Sequence, residues 1–459
     1  MLLSPILERY CQKAPLALMA RGLMEYALNS TELDALFHEH AEEQYEKKLL
    51  FSSVVDLMSM VTCQVAPSIN AAFQSVQETL PVSLTSVYNK LNGIETCVSE
   101  SLVRHTYKRL CSVIDSMQAH RPHWIAGRRV LIVDGNHLSA SERRIEPLRG
   151  SIAGPLPGHS LVLMDPRYGL AADMIACEDG HAQERSLTQW LVDALAAGEV
   201  CIADRNFCTV PITSGFHAKK AFFLIRQHAS FPILSRGTRK HKGKTDTGEV
   251  YEQKVTLDDG KEGTFSARLI IIKLLEPTRD GDTEMAIVTN LPAKEVGACE
   301  VAQLYRKRWT IETMFFEMTQ YLEGEINALG YPRAALFGFA VALASYNVFS
   351  TMHAAMRAVH GAEKIDAEVS NYYVANEVRN MSDGLDLMSE PEEWVPFQKA
   401  TPKKLAALLL RCAENLDLRK YKKHVRGPKK PVTPRTKNKG KAHVSTALEL
   451  LAKKRKTTP

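Results

Sequence analysis

Two short apolar runs, each closed by an aspartate, constrain the fold most. Arg129-Val130-Leu131-Ile132-Val133 leads into Asp134, and Glu199-Val200-Cys201-Ile202-Ala203 leads into Asp204. Uninterrupted apolar runs of this length read as buried strands. Between and around them lie further elements. Ser160–Met164 and Leu170–Cys177 read as strands joined by a tight turn over Asp165–Gly169. Glu184–Ala197 reads as an amphipathic helix with Leu187, Trp190, Leu191 and Leu195 on its apolar face, closed by Gly198. Val210–Lys219 reads as a helix and Ala221–Ile225 as a strand. The expected order is β-β-β-α-β-α-β, which makes the centre of the chain an α/β layer.

The flanks differ from that centre. Residues 1–120 read as helical, with Thr31 and Asp34 as a variant capping box and helices over Leu49–Val61, Ser68–Val76, Leu84–Leu91 and Ser99–Met117. The short helices around Pro67 and Pro81 fit a helix-turn-helix DNA-binding module or a small bundle, and periodicity does not separate the two. Residues 121–227 form the first part of the α/β core. Residues 228–290 are β-rich: Arg236–Lys244 is basic, and Glu249–Leu257, Thr264–Leu275 and Met285–Thr289 read as antiparallel strands with turns at Asp259-Gly260 and Asp280-Gly281. Residues 291–355 return to the core, residues 356–418 are helical, and residues 419–459 form a basic tail expected to be disordered.

Charge separates that tail from the body. From Arg419 onward there are 15 Lys and Arg against the single acid Glu449, whereas residues 1–418 hold 43 against 51 acids. A tail so basic suits sequence-independent, salt-sensitive contact with nucleic acid. Nine scattered cysteines without a Cys-x-x-Cys pair suit reduced thiols in a cytoplasmic protein and exclude a zinc site of that type. Glu8, Arg9 and Lys13 interrupt the N-terminus and argue against a secretory signal. Ala334–Met356 lacks charge and is long enough to span a bilayer, yet Ser345, Asn347, Ser350, Thr351 and His353 favour a buried core helix.

A third acid follows on a helix. From Ala293 to Glu325 there is no internal proline, and Leu304, Ile311, Phe315 and Met318 make an apolar stripe. Tyr305, Arg308 and Glu312 then share one face over two turns. Alone, Arg308 and Glu312 would be a surface ion pair worth a few tenths of a kcal/mol, and a strand-terminal Asp is most often a turn former. Together, two strand-end acids and one helix acid can converge. Carboxylates in such a cluster repel unless cations neutralise them, and oxygen-only ligands suit Mg²⁺ or Mn²⁺. Two such ions support in-line phosphoryl transfer.

The set Asp134, Asp204 and Glu312 on this element order resembles the RNase H-like core of DDE transposases. The motif Tyr305-x-x-Arg308-Trp309-x-Ile311-Glu312-x-x-Phe315 is similar to the Y-R-E-K signature of bacterial insertion-sequence transposases of the insertion-sequence-four type. Asp134-Gly135, Asp204-Arg205-Asn206-Phe207 and Thr289-Asn290-Leu291 agree, and the likeness spans Arg128 to Ser350. It implies an RNase H-like catalytic core interrupted by a β-rich insertion. It also implies that Asp134, Asp204 and Glu312 hold two Mg²⁺ or Mn²⁺ ions. Arg308 would contact transposon-end phosphates, Tyr305 would help position the DNA backbone, and the insertion would clamp the element ends. The family's lysine position, seven residues after the glutamate, holds Thr319, which brings no charge; Arg306 and Lys307 compensate in part from other faces. The implied protein acts on element ends and target DNA as a homodimer, in the bacterial cytoplasm at the nucleoid, without a membrane.

Other readings fit parts of the chain. Asp165, Asp173 and Asp179 are rival acids, set aside because they lie in turns or on an alternating strand. Trp309 is expected to pack in the core rather than stack on a base. His137, His159, His181 and His228 have no metal-ligand spacing and read as hydrogen-bonding residues. An RNase H-like nuclease or resolvase would cut without joining, and a non-catalytic DNA-binding descendant would keep fold and tail alone.

Overall fold

The structure, a computed structural model, describes residues 2–44, 47–138, 157–180, 182–278, 281–326 and 328–424. Seven helices come first: α1 (Pro5–Lys13), α2 (Pro15–Ala27), α3 (Ser30–His40), α4 (Phe51–Thr62), α5 (Ile69–Val76), α6 (Leu84–Gly93) and α7 (Thr96–Ser116). Small polar side chains set several starts by accepting from free N–H groups of the first turn: Ser4 from Leu7, Asn29 from Glu32, Ser68 from Ala71 and Ser83 from Ser86. The box expected at Thr31 and Asp34 does not form, because Asn29 already caps α3. Asp34 instead accepts from the Ser52 amide at 2.9 Å and its hydroxyl at 3.1 Å, tying α3 to the start of α4.

These helices pack as a bundle with the body. Ile69, Phe73, Val87 and Leu91 join one apolar cluster with Phe337 and Val341 from far down the chain. Lys90 on α6 is buried with its ammonium 3.8 Å from the Phe37 ring centroid.

Next comes the α/β layer: β1 (Val130–His137), β2 (His159–Asp165), β3 (Leu170–Cys177), α8 (Thr188–Ala194), β4 (Val200–Ala203), α9 (Val210–Ala218) and β5 (Phe222–Arg226). The expected turn is present, with the Gly169 amide donating to the Asp165 carbonyl at 2.8 Å and Gly169 at φ +72°, where a side chain would strain the backbone. The helix expected over Glu184–Ala197 is shorter. Glu184–Leu187 is a 3₁₀ turn, the α-helix ends at Ala194, and Trp190 is 59% exposed rather than buried.

The β-rich region adds β6 (Ser235–Arg236), β7 (Lys240–Thr245), β8 (Gly248–Asp258), β9 (Thr264–Leu274) and β10 (Glu284–Thr289). The basic stretch Arg236–Lys244 thus includes strand, with β6 and β7 both paired to β8. One ten-stranded sheet runs β3-β2-β1-β4-β5-β10-β9-β8-β6 with β7 also on β8. β1, β4 and β5 are parallel, and the other pairings are antiparallel. This β-rich region therefore continues the sheet through the β5–β10 pair. The turn expected at Asp280-Gly281 lies partly outside the described residues.

Helices α10 (Ala298–Arg306), α11 (Thr310–Tyr321), α12 (Pro332–His360), α13 (Ala362–Glu368), α14 (Asn371–Met388), α15 (Val395–Gln398) and α16 (Pro402–Glu414) complete the fold. The long apolar helix α12 is packed by α7, β3, α16 and α4, and 83% of its most apolar stretch is buried. Its polar residues are satisfied inside. Asn347 accepts from the Ala171 amide at 2.8 Å and donates to the Ala171 carbonyl at 2.9 Å, and Ser350 donates to the Gly169 carbonyl at 2.7 Å. The compact body extends to Lys422, past the expected tail boundary. Leu418–Tyr421 is a 3₁₀ turn, Tyr421 is buried, and its carbonyl accepts from Ser370 at 2.7 Å. Residues 425–459 of the tail lie outside the described residues.

Candidate active site

Strand alternation decides where the aspartates point. On β1, Leu131 and Val133 pack with Leu191, Ile212 and Phe216 on one face, while Ile132 packs with Ile311, Met314 and Leu343 on the other. Asp134 has the parity of Ile132, so it faces α11. On β4, Cys201 and Ala203 take the first face, and Val200 and Ile202 pack toward Leu304 and Tyr305. Asp204, just past the strand, continues that second parity.

The expected helix Ala293–Glu325 is not one helix. Its first turn starts at Ala298, and Lys307–Trp309 is a 3₁₀ turn between α10 and α11. The Thr310 hydroxyl donates to the Lys307 carbonyl at 2.7 Å, a local bond that competes with regular helix here. The tighter turn carries Arg308 inward, 7% exposed, and leaves Trp309 63% exposed. The expectation that Trp309 packs in the core is corrected: it faces solvent.

Arg308 sits between two of the three acids. Its Nη1 donates to Asp134 Oδ2 at 3.2 Å and its Nη2 to Glu312 Oε1 at 2.6 Å, while its Nε is buried without a partner. Asp204 lies close enough to act electrostatically on Arg308 and Tyr305. Tyr305, Arg308, Glu312, Asp134 and Asp204 are therefore brought together despite the broken helix. Burial pushes the Asp134 carboxyl up to about 6, with Arg308 and the Gly135 amide opposing and Glu184 and Glu312 adding to the rise. Burial likewise pushes the Tyr305 hydroxyl up, and nearby Asp204 adds to it. Burial alone would lower Arg308, but Tyr305, Asp134, Asp204 and Glu312 hold it above its ordinary value.

Glu184 is a fourth acid that the sequence reading missed. A Cβ on Gly135 would meet Glu184 Oε1 at 2.1 Å, so this carboxylate lies against the backbone beside Asp134. Burial raises its pKa, His137 and Asn206 oppose that, and Asp204 adds to it. The glycine following Asp134 was the one available signal, since close approach of another group needs a position without a side chain.

The remaining candidates lie elsewhere. Arg306 pairs with Asp246 at the β7–β8 turn, Lys307 holds its ammonium 5.1 Å from the Trp124 ring centroid, and exposed Thr319 donates to the Phe316 carbonyl of its own helix at 2.9 Å. The rival acids are engaged: Asp165 with Arg129 and Tyr107, and Asp173 with Arg104. Buried His159 stacks on His137 at 5.0 Å between centroids and hydrogen-bonds the Asp179 carbonyl at 3.1 Å. His228 hydrogen-bonds Ser230, and His181 lies outside the described residues.

Asp134, Asp204, Glu312 and Glu184 offer carboxylate oxygens alone, a donor set whose chemistry fits a hard divalent cation. Among the described residues no three His, Cys, Asp or Glu side chains are close enough to ligate one ion as they stand. The cation between Asp134 and Glu312 is the Arg308 guanidinium.

No curated protein matches the chain. A solved piggyBac transposase synaptic complex with hairpin DNA is 11% identical over 85% of this chain and 86% of that one, with a TM-score of 0.38, too low to assign a shared fold. Residues 125–348, which hold Asp134, Asp204 and Glu312, match the family described as the transposase DDE domain, and that match supports a DDE transposase.

Proposed function

We propose that this chain is a cut-and-paste DNA transposase of the Y-R-E-K insertion-sequence type, built on an RNase H-like core. It binds the terminal inverted repeats of its own element, cleaves each end, and joins the 3′-OH ends to target DNA. The observation that carries this reading is the meeting of Asp134 and Glu312 at one guanidinium, with Asp204 beside it just past the end of the neighbouring parallel strand.

Asp134, Asp204 and Glu312 would hold two Mg²⁺ or Mn²⁺ ions, which when bound stabilise the attacking and leaving oxygens of an in-line displacement. Glu184 stands where it can turn a further oxygen toward Asp134 and Asp204. Arg308 releases the two carboxylates and meets a phosphate of the element end, where a bidentate guanidinium is well matched. Tyr305 braces Arg308 from within. The exposed basic strand β7, with Lys240, Lys242 and Lys244, lies along the DNA backbone, and the basic tail adds non-specific affinity. Two ends must be handled together, so a homodimer on DNA is the working unit, acting in the bacterial cytoplasm at the nucleoid and not at a membrane.

The test is a DNA fragment carrying the element's ends, incubated with and without Mg²⁺ or Mn²⁺ and resolved on a denaturing gel. Metal-dependent nicks at the element boundary, absent in Glu312→Gln, are expected. Cutting without joining in a strand-transfer assay would replace this reading with a nuclease or resolvase. End binding with no cutting would replace it with a non-catalytic descendant, for which uncharged Thr319 is the favouring observation.

A further inference from the structure

At the start of β1, opposite the acids along the strand, lies a cavity of about 230 Å³. Its wall includes Trp124, Tyr107 and Tyr168 together with Arg128, Arg129 and Arg167. Two of the three arginines are already engaged. Arg128 donates to Glu295 at 2.9 and 2.7 Å and to the Gly198 carbonyl at 3.0 Å. Arg129 donates to Asp165, Glu199 and the Tyr107 hydroxyl at 2.9, 2.8 and 3.0 Å. Asp165, the acid in the wall, is only 1% exposed and is neutralised by Arg129.

Arg167 differs. Its guanidinium lies 5.8 Å from the Tyr168 ring centroid, no carboxylate pairs with it among the described residues, and its Nε is buried without a partner. A half-buried arginine with unspent donors in a concave wall calls for an anion. Trp124 is half-buried, with the Lys307 ammonium 5.1 Å from its ring centroid, so a second cation stands beside the indole. Most of the cavity's exposed surface is apolar and three aromatic side chains line it, which suits an anion that carries a flat ring. A volume below the roughly 300 Å³ of ordinary ligand pockets admits one such unit and no more.

We propose that this cavity binds a single nucleotide unit, its base against Trp124 and its phosphate on Arg167. The choice of a nucleotide over another aromatic anion rests on the transposase reading. Four residues of β1, roughly 13 Å at about 3.3 Å each, separate Val130 in the cavity wall from Asp134, and Lys307 is chain neighbour to Arg308. Occupancy therefore bears on the turn that carries Arg308. The nucleotide is either one unit of a DNA strand or a free mononucleotide, and the recognition chemistry is the same.

The experiment is ¹⁹F NMR of the full chain labelled with 5-fluorotryptophan, with the Trp124 signal assigned by its loss in Trp124→Phe. Thymidine monophosphate, thymidine, inorganic phosphate and a short single-stranded oligonucleotide are titrated separately. The Trp124 signal is expected to shift saturably with the monophosphate or the oligonucleotide and not with thymidine. Arg167→Gln is expected to weaken that binding at least about tenfold, and Arg167→Lys to restore part of it. A response to the oligonucleotide alone assigns the strand as the source, and a response to the monophosphate assigns the free nucleotide. No shift, an equal shift with inorganic phosphate, or a shift indifferent to Arg167→Gln overturns the proposal. Because binding is read without cleavage, element cutting with a silent Trp124 rejects this site alone, and binding without any cutting rejects the transposase reading alone.

Discussion

The Arg308 guanidinium donates to Asp134 Oδ2 at 3.2 Å, from a side chain only 9% exposed. The same group holds Glu312 at 2.6 Å, so it stands in the position of a cation between two acids. Replacing Arg308 by Met removes the competitor. Binding of Mn²⁺ without DNA, read from the electron paramagnetic resonance of the free ion, is expected to tighten at least about tenfold, since hydrogen bonds to charged groups contribute about 1.5–3 kcal/mol each. Cleavage of element ends is expected to disappear, because the phosphate contact is lost too. Unchanged or weaker Mn²⁺ binding would show that Arg308 supports the acids rather than competing for them.

Asp134 makes folding sensitive to pH. Its carboxyl, about 6 when folded, lies near 3.8 in the open chain, with burial as the main cause. A raised carboxyl favours the protonated form in the folded state. Stability from this group is thus fully present below about pH 4 and is lost as pH rises through about 6. The loss is at most about 3 kcal/mol, from roughly 1.4 kcal/mol per unit. Melting of Asp134→Asn and the parent protein should differ little at pH 4, with the variant increasingly more stable by pH 7. A constant offset across that range would rule out the titration of Asp134 as the cause.

Much of this arrangement is legible in the chain, for reasons that differ by residue. The uninterrupted apolar runs already place Asp134 and Asp204 at the ends of buried strands, and the parallel register of Ile132 with Ile202 then turns both to one face, because side chains on a strand alternate with period two. The inward turn of Arg308 is not legible: an Arg and a Glu four residues apart look alike on an exposed helix and over a half-buried acid. Trp309 faces solvent against the helical expectation because it lies in a three-residue 3₁₀ turn, which moves its side chain off the helical face. Glu184 is hidden because its place is fixed by tertiary packing against Gly135, with no local pattern to mark it.

That packing can be tested directly. Gly135→Ala would put a Cβ 2.1 Å from Glu184 Oε1, so the carboxylate must move or the strand must yield. Because the Cβ meets only the flexible Glu184 side chain, the expected cost is no more than about 1 kcal/mol in denaturant unfolding. Adding Glu184→Ala should relieve it, leaving the double variant more stable than the two single effects predict by at least about 0.5 kcal/mol. Simple additivity would mean that the two residues do not touch.

Thr319 tests the missing lysine. Its hydroxyl is exposed and serves its own helix, donating to the Phe316 carbonyl at 2.9 Å, so little folding energy depends on it. Thr319→Lys should therefore change stability by no more than about 0.5 kcal/mol. Seven residues beyond Glu312, the new ammonium falls on the face of α11 that carries the acid. Binding of element-end DNA should tighten, and the salt dependence of its affinity should steepen by about one ion, as expected for one added phosphate contact. Thr319→Val supplies the control, since it removes the hydroxyl without adding charge and should leave the salt slope unchanged. An unaltered slope in Thr319→Lys would mean that DNA does not pass this face of α11, and the path of the element end would have to be drawn elsewhere.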